Sequence, residues 1–274
     1  MTVPPGTGPP TDPLVERARG LRDGTLTAVE PRHAATVVLL RDAAAGPEVY
    51  LLRRVAAMAF AGGLWVFPGG SVDPADATAE AAWAGPPPSW WAGHLSADEP
   101  LARALVCAAV RETFEESGVL LAGPSDTEVL ADVSTDEWEA ERVALEAREQ
   151  SLSELLVRRG LVLRADLLRP FAHWVTPAVE PRRFDTRFFV AALPAGQTCR
   201  TAGTEADERR WVRPADALGQ ELPMMPPTSR SLGDLRDAPS VAAALATERT
   251  ITTNRPVYEL DDDSGRVVLR SAAT

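Results

Sequence analysis

The chain has 274 residues, 45% of them hydrophobic, which is enough for one large core or two small ones. Its formal net charge is −11 and it contains no lysine. An acidic chain is a poor nucleic-acid binder by bulk electrostatics, so any phosphate contact must come from local arginines. The two cysteines, Cys107 and Cys199, are far apart in sequence, which argues against a disulfide scaffold and a structural zinc site.

Residues 1–30 are predicted to be a flexible N-terminal segment with one short helix near Val15–Leu21. The first 13 residues are rich in Pro, Gly and Thr and lack the basic start and apolar run of a secretory signal. No stretch reaches the roughly 20 apolar residues of a membrane span. The sequence Ser271-Ala272-Ala273-Thr274 is not a peroxisomal address. We therefore expect a cytoplasmic protein with no membrane partner.

Residues 31–274 are predicted to form a single domain in which strands alternate with helices. The strand candidates are short runs rich in β-branched and aliphatic residues, bounded by turn residues. They are Ala34–Leu40, Glu48–Arg54, Leu64–Phe67, Phe171–Thr176, Arg187–Leu193 and Arg209–Val212. Two more strands, Val257–Leu260 and Arg266–Leu269, flank an aspartate-rich turn and are predicted to form a terminal hairpin.

The helix candidates lie mainly in the second half of the chain. Asp136–Arg159 is rich in Glu, Ala, Leu and Arg and is predicted to form one or two helices on the flank. Pro214–Leu218 begins with proline, which suits the first turn of a helix. Ser229–Leu235 and Ser240–Thr247 are predicted to be helical, and residues from about 225 to 274 form a C-terminal extension. Strands interleaved with helices indicate an α/β fold.

The segment 77–103 has turn residues and isolated tryptophans instead of a clear period. We predict a flap or surface excursion there and no separate domain. Its tryptophans, Trp83, Trp90 and Trp91, could stack on an adenine ring, but we favour the view that they anchor the segment to the core.

The most informative segment is the run from Arg111 to Val119, which contains Glu112, Glu115 and Glu116. At about 100° per residue, the second and third glutamates lie about 60° and 40° to either side of the first, so one helix face carries three negative charges. Like charges at this spacing destabilise a helix. A divalent cation would compensate them, because such cations prefer hard oxygen ligands.

The opposite face of this helix is apolar. Val106, Cys107, Val110 and Phe114 form a stripe that can dock on a sheet, and Gly118 follows as a left-handed C-terminal cap. The alternative is a solvated charged helix. Because Arg111 is the only cation close in sequence and offsets one charge of three, we favour the metal-binding interpretation over the solvated one.

These residues resemble a known family. The pattern Arg-Glu-x-x-Glu-Glu-x-Gly-aliphatic, downstream of Phe67-Pro68-Gly69-Gly70, is similar to the Nudix box of Nudix hydrolases. Gly70 matches the first glycine of the box, and Asp76 stands where the family usually has Glu. The spacing then departs from the family pattern, because 34 residues separate Asp76 from Arg111 instead of seven. The segment 77–103 is therefore an insertion inside the box.

A long insertion at this place resembles one branch of the family, the coenzyme A and acyl-coenzyme A diphosphatases. The runs His173 to Pro177 and Arg182 to Phe189 resemble the Trp-x-Thr-Pro and Arg-Phe-Asp-Thr-x-Phe-Phe signatures of that branch. Met225 to Thr228 is similar to its Pro-Pro-Thr segment. The resemblance implies a Nudix-type α/β/α sandwich with a mixed central sheet, an insertion within the Nudix box and extra C-terminal helices.

The resemblance also implies a reaction and a set of site residues. The reaction is divalent-metal-dependent hydrolysis of a nucleoside diphosphate linked to another moiety, with Mg²⁺ or Mn²⁺ as the cofactor. Glu112, Glu115 and Glu116 are expected to bind the metal, and one of them to help activate water. Arg111 is expected to hold these carboxylates in place, and the Gly70 carbonyl to add a ligand. A homodimer is common in the family.

Further candidates supply additional ligands or contacts. Glu205 or Glu208 could provide another metal ligand or the base, and Asp76 a supporting contact to the box. A guanidinium matches a phosphate in a bidentate fork, so four arginines are candidates for substrate binding. They are Arg53, Arg54, Arg183 and Arg187.

Three functions remain in competition at this stage. The first is cleavage of coenzyme A or acyl-coenzyme A to 3′,5′-ADP and a phosphopantetheine fragment. The second keeps the site but changes the small-molecule nucleotide substrate to ADP-ribose, a dinucleoside polyphosphate or NADH. The third is a non-catalytic nucleotide-sensing Nudix module, which an intact set of three box glutamates disfavours.

Overall fold

The computed structural model describes residues 13–58, 61–78, 81–200, 203–260 and 267–271. In this part of the chain, every helix falls short of the length and apolar character that a bilayer-spanning segment requires.

The helices are α1 (Pro13–Arg22), α2 (Pro74–Ala77), α3 (Pro88–Leu95), α4 (Glu99–Ser117), α5 (Asp136–Glu146), α6 (Leu152–Arg159), α7 (Pro214–Gly219), α8 (Pro226–Leu235) and α9 (Val241–Ala246). The strands are β1 (Arg32–Arg41), β2 (Glu48–Arg54), β3 (Trp65–Val66), β4 (Gly69–Ser71), β5 (Ala82–Ala84), β6 (Ala122–Gly123), β7 (Val162–Arg164), β8 (Leu168–Val175), β9 (Phe184–Ala192), β10 (Ala206–Val212), β11 (Thr253–Asn254), β12 (Pro256–Leu260) and β13 (Val267–Ser271).

The chain clusters into two compact units. The smaller comprises the described residues of Met1–Arg32, Trp174–Asp185 and Thr253–Thr274. In it, α1 packs on β12 and β13, which pair antiparallel. This confirms the short N-terminal helix and the pairing of the terminal hairpin, whose turn lies outside the described residues. The division into a flexible segment 1–30 and a single domain 31–274 stays a prediction.

The larger unit, His33–His173 and Thr186–Thr252, contains the central sheet. Its strand order is β10–β2–β1–β9–β8, with β3 paired to β2 and β4 paired to β1. Consecutive residues of β1 from Val37 to Leu40 are fully buried, so both faces of the sheet are covered. A strand that is covered on both faces is continuously apolar, as the sequence of β1 is.

Helix α4 covers one face of the sheet. The residues of β1 and β2 that point to one side, Val37, Leu39 and Leu52 among them, share a core with α4. On the C-terminal side of the fold, α9 starts where Val241 N donates to Asp42 Oδ1 at 2.9 Å, just beyond the end of β1. Leu232 of α8 is also fully buried. The expected α/β sandwich with extra C-terminal helices is confirmed.

The prediction of a surface excursion over 77–103 is wrong. Trp91 of α3 is completely buried, and its ring lies 5.7 Å from that of Phe189 in the core. Strand β5 pairs in parallel with β7, which pairs antiparallel with β6, so the segment supplies one strand of a second sheet. The expectation that the tryptophans anchor the segment holds for Trp91, whereas Trp90 is 37% exposed.

Candidate active site

The acidic run lies in the last turns of α4, as the sequence predicts. The helix begins after Asp98, whose side chain accepts a hydrogen bond from Leu101 N, and it ends at Gly118. Gly118 has φ +71° and its N–H donates to Phe114 O, which is the predicted left-handed cap. The predicted apolar stripe faces the sheet, because Val106, Val110 and Phe114 are fully buried. The glutamates therefore lie on the side of the helix that points away from this apolar stripe.

Strand β4 passes against this glutamate face. It pairs with β1 through Gly70 and Ala35, and Gly69 N donates to Glu116 Oε2 at 2.8 Å. A Cβ added to Gly70 would lie within 2.6 Å of Glu112 Oε2. Only glycine can occupy this position without displacing the carboxylate. The two glycines thus bring the backbone of β4 next to two of the three box glutamates.

Arg111 lies at the centre of a buried charge network. Its Nε and Nη2 donate to Asp76 Oδ1 and Oδ2 at 3.1 and 2.9 Å, and Nη2 also donates to Ser71 O at 2.9 Å. Asp76 is buried in α2, where it forms a capping box with Asp73. The bidentate pair fixes the plane of the guanidinium.

The remaining nitrogen of Arg111 faces the box carboxylates. Nη1 donates to Glu112 Oε1 at 2.7 Å and to Glu115 Oε1 at 3.3 Å. Arg111 therefore holds two of the three glutamates while Asp76 holds Arg111. The expected supporting contact of Asp76 to the box exists in the structure.

The electrostatics of the site favour a cation. Burial, together with the charge of Glu112, raises the pKa of Glu115 to about 7. Burial also raises the pKa values of Glu112 and Glu116, and the charge of Glu205 adds to both shifts. Each of these carboxylates is harder to ionise in the folded protein than in water, because burial and like charges disfavour the anion.

Glu205 is the acidic candidate whose charge acts on the box glutamates, whereas the described partners of Glu208 are arginines outside the box. Glu205 precedes β10, and its carboxylate pairs with Arg54 Nη2 at 2.7 Å. The charge of Arg54 lowers the pKa of Glu116, which places this arginine near the box. Glu208 instead pairs with Arg53 at 3.0 Å and with Arg210. Residues 53 and 54 point to opposite faces of β2, so only Arg54 faces the glutamates.

The other two arginine candidates are engaged with backbone carbonyls. Arg187 is 3% exposed and donates through Nε to Leu95 O at 3.0 Å, at the end of α3. Arg183 donates to Thr176 O at 3.0 Å and to Val29 O at 2.7 Å in the smaller unit. Both side chains hold backbone segments in place, so we retain Arg54 as the arginine candidate for substrate binding.

The comparisons with known proteins agree with this geometry. The sequence model of the NUDT19 Nudix domain family matches residues 92–232, just over half of the chain. The chain belongs to the Nudix hydrolase family. A crystal structure of a NUDIX hydrolase from Alicyclobacillus acidocaldarius is 33% identical, with a TM-score of 0.70 over 81% of this chain and 98% of that one.

Two curated relatives are named acyl-coenzyme A diphosphatase NUDT19. The Xenopus laevis protein is 26% identical over 62% of this chain, and the Gallus gallus protein is 28% identical over 72% of it. The chain covers 54% and 65% of the lengths of these relatives.

Nudix hydrolases generally use divalent metals, and the donor set here fits one. Three carboxylates with raised pKa values lie close together near the end of α4, beside the backbone of β4 at Gly69 and Gly70, and carboxylate oxygens are the ligands that Mg²⁺ and Mn²⁺ prefer. Among the described residues, however, no three acidic, histidine or cysteine side chains converge tightly enough to form a metal site as they stand. In the structure, Arg111 donates to Glu112 and Glu115, and Glu116 accepts from Gly69 N.

Sequence reasoning missed one residue next to the Nudix box. Arg142 of α5 donates through Nη1 to the carbonyl oxygen of Glu115 at 3.0 Å. One sequence signal could have indicated such a residue. A helix C-terminus favours a nearby cation, and the last turn of α4 contains no basic residue, so a cation from another element is expected there.

Proposed function

We propose that this Nudix hydrolase cleaves the diphosphate of coenzyme A or acyl-coenzyme A to 3′,5′-ADP and a phosphopantetheine or acyl-phosphopantetheine. The observation that carries this substrate class is the similarity to two curated relatives named acyl-coenzyme A diphosphatase NUDT19. The match to the NUDT19 Nudix domain over residues 92–232, which begins inside the insertion, supports it. The intact box, with all three glutamates on one face of α4, supports hydrolysis over nucleotide sensing.

Glu112, Glu115 and Glu116 would hold Mg²⁺ or Mn²⁺, with the Gly70 carbonyl as a further donor. A bound divalent cation supplies charge neutralisation on the diphosphate and a lower pKa for a coordinated water. Hydrolysis breaks one phosphorus–oxygen bond of the anhydride. The oxygen of water joins one phosphorus, and its proton passes to a carboxylate: one of the three box glutamates or Glu205.

The surrounding residues orient the carboxylates and receive the substrate. Arg111, fixed by Asp76, would keep the box glutamates on the β4 side of the helix. Arg54 would contact a substrate phosphate, because its guanidinium lies on the box face of β2. In the part of the chain that the structure describes, its ion-pair partner is Glu205, which is exposed.

A substrate screen with product identification tests the proposal. Purified protein would be incubated with Mg²⁺ or Mn²⁺ and with coenzyme A, an acyl-coenzyme A, ADP-ribose and NADH in parallel. Mass analysis should detect 3′,5′-ADP, which only the coenzyme A substrates yield. Faster cleavage of ADP-ribose or NADH would move the proposal to that substrate class, and no cleavage of any diphosphate would refute catalysis.

Single substitutions test the metal-ligand assignment. Glu115→Gln and Glu116→Gln each remove one anionic ligand but preserve the shape of the side chain. We expect each to lower kcat by at least about 100-fold while the melting temperature stays near or above that of the wild type, because a buried, repelled charge is removed. Glu208→Gln, outside the box, serves as the control. Wild-type turnover in both box variants would reject the assignment.

We also propose a cytoplasmic location, supported by two free cysteines, of which Cys107 is buried in the core. A homodimer remains a proposal based on the family. Light scattering of the purified protein decides between monomer and dimer, and fractionation of cells decides the location.

A further inference from the structure

The C-terminal end of α4 lacks an internal partner for one carbonyl. In a continuing helix Glu115 O would accept from Val119 N, but Val119 N donates to Ser117 Oγ at 3.3 Å. Glu115 itself carries one of the three box carboxylates. The end of the helix dipole and the glutamates both add negative charge here, and the last turn of α4 contains no basic residue.

Arg142 of α5 satisfies this carbonyl from outside the helix. Its side chain is 4% exposed, and Nη1 donates to Glu115 O at 3.0 Å and to Glu146 Oε2 at 2.8 Å. Its Nη2 donates to Glu139 Oε1 at 2.6 Å. Two carboxylates one turn to either side of Arg142 thus hold the guanidinium against the box helix, which an exposed and freely rotating arginine would not achieve.

Glu146 extends the contact to a second part of the site. Its other oxygen, Oε1, accepts from Thr204 N at 3.1 Å. A Cβ added to Gly203 would lie 3.3 Å from Glu146 Oε1 and 3.7 Å from Glu115 O, so the backbone at Gly203 runs directly beside the end of α4. Gly203 has φ +72°, a conformation that glycine adopts without strain.

The next residue after Thr204 is Glu205. Its carbonyl oxygen accepts from Val55 N at 2.9 Å, and its carboxylate pairs with Arg54. The loop is therefore fixed to β2 on one side and to Glu146 on the other. A continuous series of contacts leads from Glu115 O through Arg142 and Glu146 to Thr204 N, and it sets the distance between the box turn and Glu205.

We propose that Arg142 and Glu146 are positioning residues that place Glu205 beside the box glutamates, so that Glu205 acts on the bound metal or on the attacking water. This inference rests on the proposed metal-dependent hydrolysis. Neither residue touches the substrate in this scheme. Both act through the loop that carries Glu205 and through the last turn of α4.

The decisive substitution is Glu146→Gln. Arg142 and Thr204 N donate to different oxygens of Glu146, so in glutamine the NH₂ group would replace one of the two acceptors and face a donor. We expect the Kd for Mn²⁺, measured by electron paramagnetic resonance in the absence of substrate, to rise about tenfold, and kcat to fall by a similar factor with a smaller change in KM.

Glu137→Gln is the control. Glu137 lies on the same helix and also pairs with an arginine, Arg159, at 2.6 Å, but this pair is not part of the series of contacts that leads to Thr204 N. Its substitution should change both quantities less than about twofold. Equal effects of the two substitutions, or no effect of Glu146→Gln, would overturn the proposal. If Glu146→Gln unfolds at the assay temperature, Glu146→Asp replaces it, since it keeps the charge and withdraws the carboxylate from Thr204 N.

A double-mutant cycle shows whether Glu146 acts through Glu205. In the Glu205→Gln background, Glu146→Gln should have little further effect on kcat or on Mn²⁺ binding. Effects that simply multiply would reject the connection. If the wild type binds Mn²⁺ but cleaves no diphosphate, the proposed function fails, while the Mn²⁺ comparison still decides the positioning role. If the wild type binds no Mn²⁺, both proposals fail.

Discussion

Asp76 shows how one residue can keep its contact despite a shorter side chain. The family usually has Glu at this position of the box, and Asp is one methylene shorter. In the structure, α2 starts at Pro74 with a capping box, which turns Asp76 toward the box helix and lets both of its oxygens meet Arg111. Sequence spacing identified Asp76 but not this contact, because 34 residues of intervening chain determine where Arg111 lies.

The buried pair makes Asp76 important for stability. Asp76→Asn keeps the shape but removes the charge that compensates Arg111, and both side chains are at least 88% buried. We expect the free energy of unfolding to fall by about 3 kcal/mol in urea denaturation with the metal chelated. Asp73→Asn is the control, because Asn caps a helix as well as Asp does. Similar losses in the two variants would contradict a special role for the Asp76–Arg111 pair.

Among the arginines, the sequence predicted candidates but not their partners. The alternation of β2 places Arg53 and Arg54 on opposite faces, and this could have been derived from the strand alone. Arg187 could not have been assigned in the same way. Its partners are the carbonyl oxygens of Leu95 and Ser96, which belong to the insertion about 90 residues earlier in the chain. Contacts of this kind depend on the fold and leave no local signal.

At the scale of elements, the regular strands and the box helix were predicted well, and the insertion was not. Helix α3 has only eight residues, with Trp91 and Leu95 buried on one face. A single apolar pair is too short a repeat to indicate an amphipathic helix. Strand β5 has three residues and pairs with β7, which lies 80 positions later in the chain. Such a non-local pairing is invisible in a short segment of sequence.

The packing of α3 on α4 predicts the effect of two adjacent substitutions. Trp91→Ala would leave a large cavity in the core, and we expect it to lower the free energy of unfolding by about 3–5 kcal/mol. Trp90 is partly exposed and stacks on His94, so Trp90→Ala should lower the free energy of unfolding by less than about 1.5 kcal/mol. Urea denaturation of both variants measures the difference. Equal costs would show that α3 does not anchor the insertion.

At the scale of the whole molecule, the site affects the stability of the entire fold. The chain carries a net charge of −11, and its three box carboxylates are partly buried side by side. Elsewhere, a hydrogen bond from Arg158 lowers the pKa of Glu141 to about 2, so that this carboxylate stabilises the fold above pH ~4.5. The box carboxylates have the opposite effect, because their pKa values are raised.

The sign of this effect gives a prediction for the metal-free protein. With the pKa of Glu115 at about 7, the folded state binds more protons than the unfolded chain between pH ~4.5 and 7. The free energy of unfolding should therefore fall as the pH rises through this window, by at most about 3 kcal/mol from Glu115. Denaturation in the presence of a chelator at several pH values measures the slope.

Two comparisons assign that slope to the box. Glu115→Gln cannot titrate, so its stability should depend less on pH across the same window. Mn²⁺ binds the ionised carboxylates, so at a concentration 100 times its Kd at pH 7.5 it should stabilise the wild type by about 2.7 kcal/mol at that pH, and by less at pH 5. The prediction is contradicted if the stability of the wild type and of Glu115→Gln depends on pH in the same way and Mn²⁺ stabilises neither. The box carboxylates would then not repel one another in a way that a metal ion relieves.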